Sequence, residues 1–203
     1  MSSSGNYPLL ERIDSLEHDK HHSMVLYDDA KFGAAIKGRF VENGLKKKEH
    51  VICFTPDDVS LLEKEIESAG VDIDSYKREN ILHFYHIEDI TKRKDGIEAG
   101  FNDVVKQITA DSEYPYRVIG KIISDVSTKE GMQAELEAER IFHTGFENYQ
   151  CSFLCPYDIS GIEQKEKPQW LSQLFSYHHN LIFATKPEKA IAFDTDILKM
   201  DEI

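Results

Sequence analysis

Short apolar runs alternate with amphipathic stretches along most of this chain, and that alternation constrains its fold more than any other feature. Runs at 23–27, 51–54, 81–86, 117–124 and 150–155 have the length and the β-branched or aromatic content of strands. Between them, 31–43, 57–69, 97–109 and 129–148 repeat apolar residues at helical spacing; in the last of these Met132, Leu136, Phe142 and Phe146 mark the buried side. Gly44 and Gly70 are placed to stop the first two helices, and Asp57 or Asp58 to cap the second. Strands separated by helices predict βαβ units, hence a three-layer α/β/α sandwich around a mainly parallel sheet. A helix at 169–177 and two strands at 180–184 and 190–193, joined by "TKPEK", predict a C-terminal hairpin. Residues 9–17 read as a short helix with Leu9, Leu10, Ile13 and Leu16 on one face. The expected organisation is an extension over 1–20, a single domain over 21–194 and a tail over 195–203.

Composition narrows the function classes. The chain has 203 residues and a formal net charge of -13, which opposes binding to nucleic acid or an anionic membrane through bulk electrostatics. No apolar run approaches the roughly 20 residues that span a bilayer, and the first residues lack an apolar signal core, so a cytoplasmic protein is expected. Cys53, Cys151 and Cys155, an odd number in a long chain, do not form a disulfide framework.

In an open α/β sheet, ligands bind beyond the carboxyl ends of the strands. Those ends carry Tyr27-Asp28-Asp29, Thr55-Pro56-Asp57, Asp125 and Cys155-Pro156-Tyr157-Asp158. A phosphate-binding loop at the first of them needs the pattern G-x-x-x-x-G-K-[ST]. The sequence there is "YDDAKFGAA". A helix N-terminus attracts an anion by about 0.3–1 kcal/mol, whereas a phosphate charge about 4 Å from an aspartate is repelled by roughly 4 kcal/mol at an effective dielectric of about 20. Repulsion wins, so Asp28 and Asp29 are expected to cap the helix that follows, and the crevice to suit a neutral or cationic molecule.

Two sets of segments carry a family resemblance. "FVENGLKKKEHVICFTPDDVSLLEKEIESAGVDIDSYKRENILHFYH" resembles the KaiC/RecA-like ATPases: a helix ending in Gly-Leu, a Glu before the second strand, an acidic cap, and a helix leading to a Gly-Val-Asp turn. "HHSMVLY", "CPYDISGI" and "YHHNLIFA" resemble the MEDS domain, the sensory domain of DcmR-type regulators. The resemblance covers roughly residues 20–185 and implies a degenerate RecA-like fold that senses a small organic signal. It also implies that Asp125 stands where the related ATPases carry a magnesium-binding aspartate, and that Glu139 is a Glu recurring on its helix. Such domains often adjoin an output module; none fits here, so output is expected through a signalling or regulatory partner, self-association or the tail.

The expected signal pocket is walled by His22 or Tyr27, by Asp125 and by Tyr157, with Asp28, Glu139, Cys155, Asp158 and His179 as further candidates. Tyr157 offers an apolar ring with a polar tip, held in a defined direction by Pro156. His18, His21, His22, His178, His179 and Cys155 invite a metal reading. Cys151 and Cys155, however, lie about 13 Å apart along an extended strand and cannot share an ion. Neither a metal nor another cofactor is expected. The competing readings are a divergent nucleotide-binding ATPase, a thiol enzyme using Cys155 with His22 or His179, and a scaffold with an empty crevice.

Overall fold

A computed structural model describes residues 13–14, 21–110, 112–162, 167–184 and 191–194. Among them the strands are β1 (His21–Tyr27), β2 (His50–Thr55), β3 (Leu82–His86), β4 (Tyr116–Gly120), β5 (Cys151–Asp158), β6 (Asn180–Ala184) and β7 (Ile191–Asp194). The helices are α1 (Ala30–Lys46), α2 (Val59–Ser68), α3 (Ile73–Arg78), α4 (Ile97–Thr109), α5 (Lys129–Gly145) and α6 (Lys167–Tyr177). The strands form one sheet in the order β3-β2-β4-β5-β1-β6-β7. β1 to β6 run parallel, and β7 closes the sheet antiparallel to β6, as the hairpin reading predicted.

Side chains alternate across the sheet, and each face buries a different set of helices. Val25, Val51, Cys53 and Leu154 pack against Phe32, Ile36, Phe40 and Leu45 of α1 and Ile66 of α2, with Ile73 of α3 at the rim. On the other face Phe54 and Val118 meet Phe101 and Val104 of α4 and Phe142 of α5. Met24, Leu26 and Leu181 meet Met132 of α5 and Trp170 and Leu174 of α6. The α/β/α sandwich expected from the sequence is therefore the fold. No helix among the described residues is long and apolar enough to cross a membrane.

Three local readings change. Gly44 does not stop α1; it sits inside the last turn because a Cβ there would lie 2.4 Å from Arg117 Cδ. The chain leaves the helix instead through Lys48, whose φ of 63° lies in the left-handed region. Gly70, with φ of 97°, does follow the end of α2. α3 is a short helix that follows the Gly-Val-Asp turn, where the sequence pattern predicts no element; Asp72 caps it by accepting from Ser75 N at 3.0 Å. The helix expected over 9–17 falls outside the described residues except for Ile13 and Asp14. Ile13 is fully buried, and Asp14 accepts from Arg39 Nε at 2.7 Å and from Nη2 at 2.5 Å.

The third change creates the site. β4 was expected to run to 124 and β5 to stop at Cys155; β4 ends at Gly120, and β5 continues through Pro156 to Asp158. The two strands pair only as far as Ile119 and Leu154, whereas β5 stays paired with β1 up to Tyr27 and Asp158. Pro156, which has no N–H to donate, sits where β4 has already left, so the gap costs no ladder bond on that side. The sheet parts between β4 and β5, and the parting opens a crevice.

The face under α1 also holds a buried ion pair. Glu49, just before β2, accepts from Nε of Arg117 on β4 and from its Nη2 at 3.1 Å. Both residues are buried, and the guanidinium lies 4.7 Å from the Phe40 ring centre.

Candidate functional site: a crevice and the buried cluster behind it

The crevice at the carboxyl edge encloses about 570 Å³. Its lining carries six carboxylate residues, Asp57, Asp58, Glu65, Asp125, Glu135 and Asp158, against two lysines. Each lysine faces a carboxylate: Lys37 Nζ lies 2.5 Å from Glu65, and Lys121 pairs with Asp57. Ser124 Oγ also donates to Asp57, at 2.5 Å. Burial works against the charge of Asp57, but the hydrogen bonds from Lys121 and Ser124 outweigh it and hold the carboxyl below its ordinary value. The balance is acidic, and a polyphosphate would meet repulsion on several sides.

The position of a phosphate loop is filled. The Tyr27 ring lies flat against the first turn of α1, where a Cβ on Gly33 would come within 2.6 Å of it. Asp29 caps that helix, accepting from Phe32 N at 2.9 Å. Asp28 is exposed beside it. Lys37, one turn on from Gly33, is buried with its ammonium 5.2 Å from the Tyr27 ring centre and 3.4 Å from the hydroxyl. The helix terminus and Lys37, the lysine of this helix that lines the crevice, are thus both engaged by protein groups.

Behind the crevice, under α5, lies a second constellation. His22 of β1, Glu139 of α5, Cys155 of β5 and His178, just before β6, bring one donor atom each to within 4.8 Å of one another. All four are buried. His22 Nε2 is 3.3 Å from Cys155 Sγ and 3.2 Å from Glu139 Oε2, and His178 Nε2 is 3.5 Å from Glu139 Oε1. His22 Nδ1 donates to Tyr177 O at 2.8 Å, and His178 Nδ1 donates to Leu174 O at 2.8 Å. Phe142 and Phe153 pack around the His22 ring, with centres 4.7 and 5.7 Å away. Burial and the neighbouring His178 lower His22 to about 4, so it is neutral at pH 7. Burial, and then the carboxylates of Glu139 and Glu135, hold the Cys155 thiol well above its ordinary range. A thiol so held is not a nucleophile, and Cys155 is not part of the crevice lining.

Tyr157 and Glu135 form the wall between the two. Both line the crevice. The Tyr157 hydroxyl lies 2.8 Å from Glu135 Oε1 and 2.5 Å from Glu139 Oε1. One hydroxyl proton cannot serve two carboxylates, so one of the pair carries a proton of its own. That one is Glu135, which burial and the Glu139 charge raise to about 8. The chain of donors runs from Glu135 through Tyr157 to Glu139.

The residues singled out from sequence therefore divide. Tyr27, Asp125, Tyr157 and Asp158 line the crevice. Asp125 and Asp158 turn a carboxylate oxygen back to Ser127 N and Ser160 N, at 2.8 and 2.9 Å. His22, Glu139 and Cys155 are not in the crevice lining; they meet in the buried cluster. His22 sits at the second position of β1, on the opposite face from Tyr27 and about 16 Å along the strand from it at roughly 3.3 Å per residue. His179 is also absent from the lining: its Nδ1 accepts from His22 N at 3.3 Å, and its own N–H donates to His22 O at 2.7 Å. Asp28 is outside both sites. Cys151 stays clear of the cluster, as the strand-spacing argument required, but that argument said nothing about Cys155 meeting residues from other elements. Lys37, Glu65 and Glu135 were missed. Lys37 carried a signal, a cation on the apolar stripe of Phe32, Ile36 and Phe40. Glu135 carried another, standing four residues before Glu139 on one helix face.

Comparison with known proteins bears on the fold and the family. No curated protein matches the chain. In fold it is similar to a KaiC-like protein from the hyperthermophilic archaeon Pyrococcus horikoshii OT3. The TM-score is 0.58 at 12% sequence identity, covering 91% of this chain and 81% of that one. At that identity the likeness concerns the fold alone. Residues 21–178 match the family described as MEDS, the methanogen/methylotroph, DcmR sensory domain. With that match spanning the sheet from β1 to the end of α6, the chain belongs to the MEDS sensory-domain family.

Proposed function

We propose that this protein is a non-catalytic sensory module of the cytoplasm that binds a small neutral or cationic organic molecule in the carboxyl-edge crevice. It passes occupancy to a signalling or regulatory partner, or to a second copy of itself. Family membership supports the sensory role. The observation that carries the choice of ligand class is the filled phosphate seat: the Tyr27 ring against Gly33, Asp29 on the helix terminus, and an acid-rich lining around them. Catalysis finds little support. The two lysines face carboxylates, and Cys155 is a buried thiol whose proton is firmly held.

Native mass spectrometry of the freshly purified full chain, followed by thermal-shift titration with matched sets of small organic cations, alcohols and carboxylates, tests this reading. Cations or neutral molecules raise the melting temperature and carboxylates do not. Steady phosphate release from magnesium-ATP that disappears in Asp125→Ala overturns it in favour of a nucleotidase.

A further inference from the structure

We infer that His22, Glu139, Cys155 and His178 form a binding site for a divalent transition-metal ion, best matched by tetrahedral zinc. The case does not depend on what occupies the crevice.

The donor set has the right spacing. Zinc bonds of about 2.0 Å to nitrogen or oxygen and 2.3 Å to sulfur place tetrahedral donors roughly 3.3–3.6 Å apart. The separations of 3.3 Å for His22 Nε2–Cys155 Sγ and 3.2 Å for His22 Nε2–Glu139 Oε2 fall at or beside that range, and one donor atom from each of the four residues lies within 4.8 Å of the others. The orientation agrees as well. Both imidazoles use Nδ1–H on a backbone carbonyl, which fixes the tautomer and turns the Nε2 lone pair toward the centre. This is the arrangement that metal-ligating histidines adopt. Glu139 Oε2 comes within 3.2 Å of His22 Nε2, yet it is buried and makes no hydrogen bond. Two atoms that close, with no hydrogen bond between them, point at a common third position rather than at each other.

Charge also balances. A thiolate and a carboxylate with two neutral imidazoles neutralise one divalent ion, so the filled site is uncharged in its apolar surroundings. The mixed sulfur, nitrogen and oxygen set favours zinc over magnesium or calcium. On binding, the Cys155 S–H bond breaks, sulfur forms the metal bond, and the proton leaves to solvent. Tyr157, bonded to Glu139 at 2.5 Å and facing the crevice, supports the carboxylate from outside.

The test uses the full chain expressed with added zinc, or with cobalt(II) as a visible probe. Elemental mass spectrometry is expected to find one ion per chain. The cobalt form should show tetrahedral visible bands and a thiolate charge-transfer band. Refolding around cobalt at pH 7 should release about one proton per ion. Cys155→Ser is expected to lose the charge-transfer band and Cys151→Ser to keep it. Tyr157→Phe keeps the spectrum but weakens affinity about 10–100-fold, the effect of losing an outer-shell partner. A folded wild-type chain that purifies without metal and takes up no cobalt on refolding overturns the proposal. So does a charge-transfer band that survives Cys155→Ser, and so does a second proton on His178, seen by NMR, that pairs it with Glu139 in the zinc-treated protein.

Discussion

Two carboxylates are buried on opposite faces of the same sheet, and they are treated differently. Under α1, Glu49 has both oxygens taken by one guanidinium, whose charge cancels its own. Under α5, Glu139 has one oxygen on Tyr157 and the other facing His22 without a hydrogen bond. Burying an ion pair rarely adds net stability, but breaking one leaves an uncompensated charge. The first arrangement is complete with protein atoms alone and reads as structural. The second faces two imidazoles and, among the described residues, no lysine or arginine, which is how a binding site differs from a buried bridge.

The comparison can be broken most forcefully at the ion pair. Arg117→Ala and Glu49→Gln are each expected to lose about 3–5 kcal/mol, measured as the shift in urea midpoint. A loss below about 1 kcal/mol would mean that the pair is not what holds this face together. Gly44→Ala drives a methyl into Arg117 Cδ, and overpacking of this kind is expected to cost about 1–3 kcal/mol. If it proves neutral, the guanidinium has room to move and the fit is looser than described. The same contrast recurs at the helix N-terminus. Asp29→Ala removes the cap on Phe32 N and should cost about 1 kcal/mol. Asp28→Ala, an exposed residue, should stay within about 0.5 kcal/mol. The small stability effect with the largest interpretive weight is that of Glu139→Gln. In chelator-treated protein it should change stability by no more than about 1 kcal/mol, because no fixed cation loses its partner. A cost equal to that of Glu49→Gln would show that a protonated histidine pairs with Glu139, and the two faces would then be alike.

The alternation of apolar runs and helical patterns was enough to identify the sandwich, because period-2 and period-3.6 signals are local. The cap at Asp29 was legible for the same reason: residue type and position suffice. The parting of β4 from β5 was not. It depends on where Gly120 meets Phe54 and on which ladder partner Pro156 lacks, and both are facts of pairing rather than of sequence. The cluster was legible only piecewise. His22, Cys155 and His178 each drew notice, and Glu139 entered by resemblance. Their convergence needs the register that sets Met24 beside Cys155 and Ser23 beside Asn180. No single stretch of chain encodes that register.

The contact between Tyr27 and Gly33 ties two positions of the chain together. A side chain at 33 is barred while the ring is present, since its Cβ would come within 2.6 Å of the ring. Shrinking Tyr27 alone would leave a void beside the carboxylate on the helix terminus and would supply neither the glycines nor the lysine of a phosphate loop. No single substitution at these positions builds a phosphate loop while keeping this helix terminus well packed. The fit between one aromatic ring and one glycine thus couples positions 27 and 33, so that neither can change size without disturbing the other.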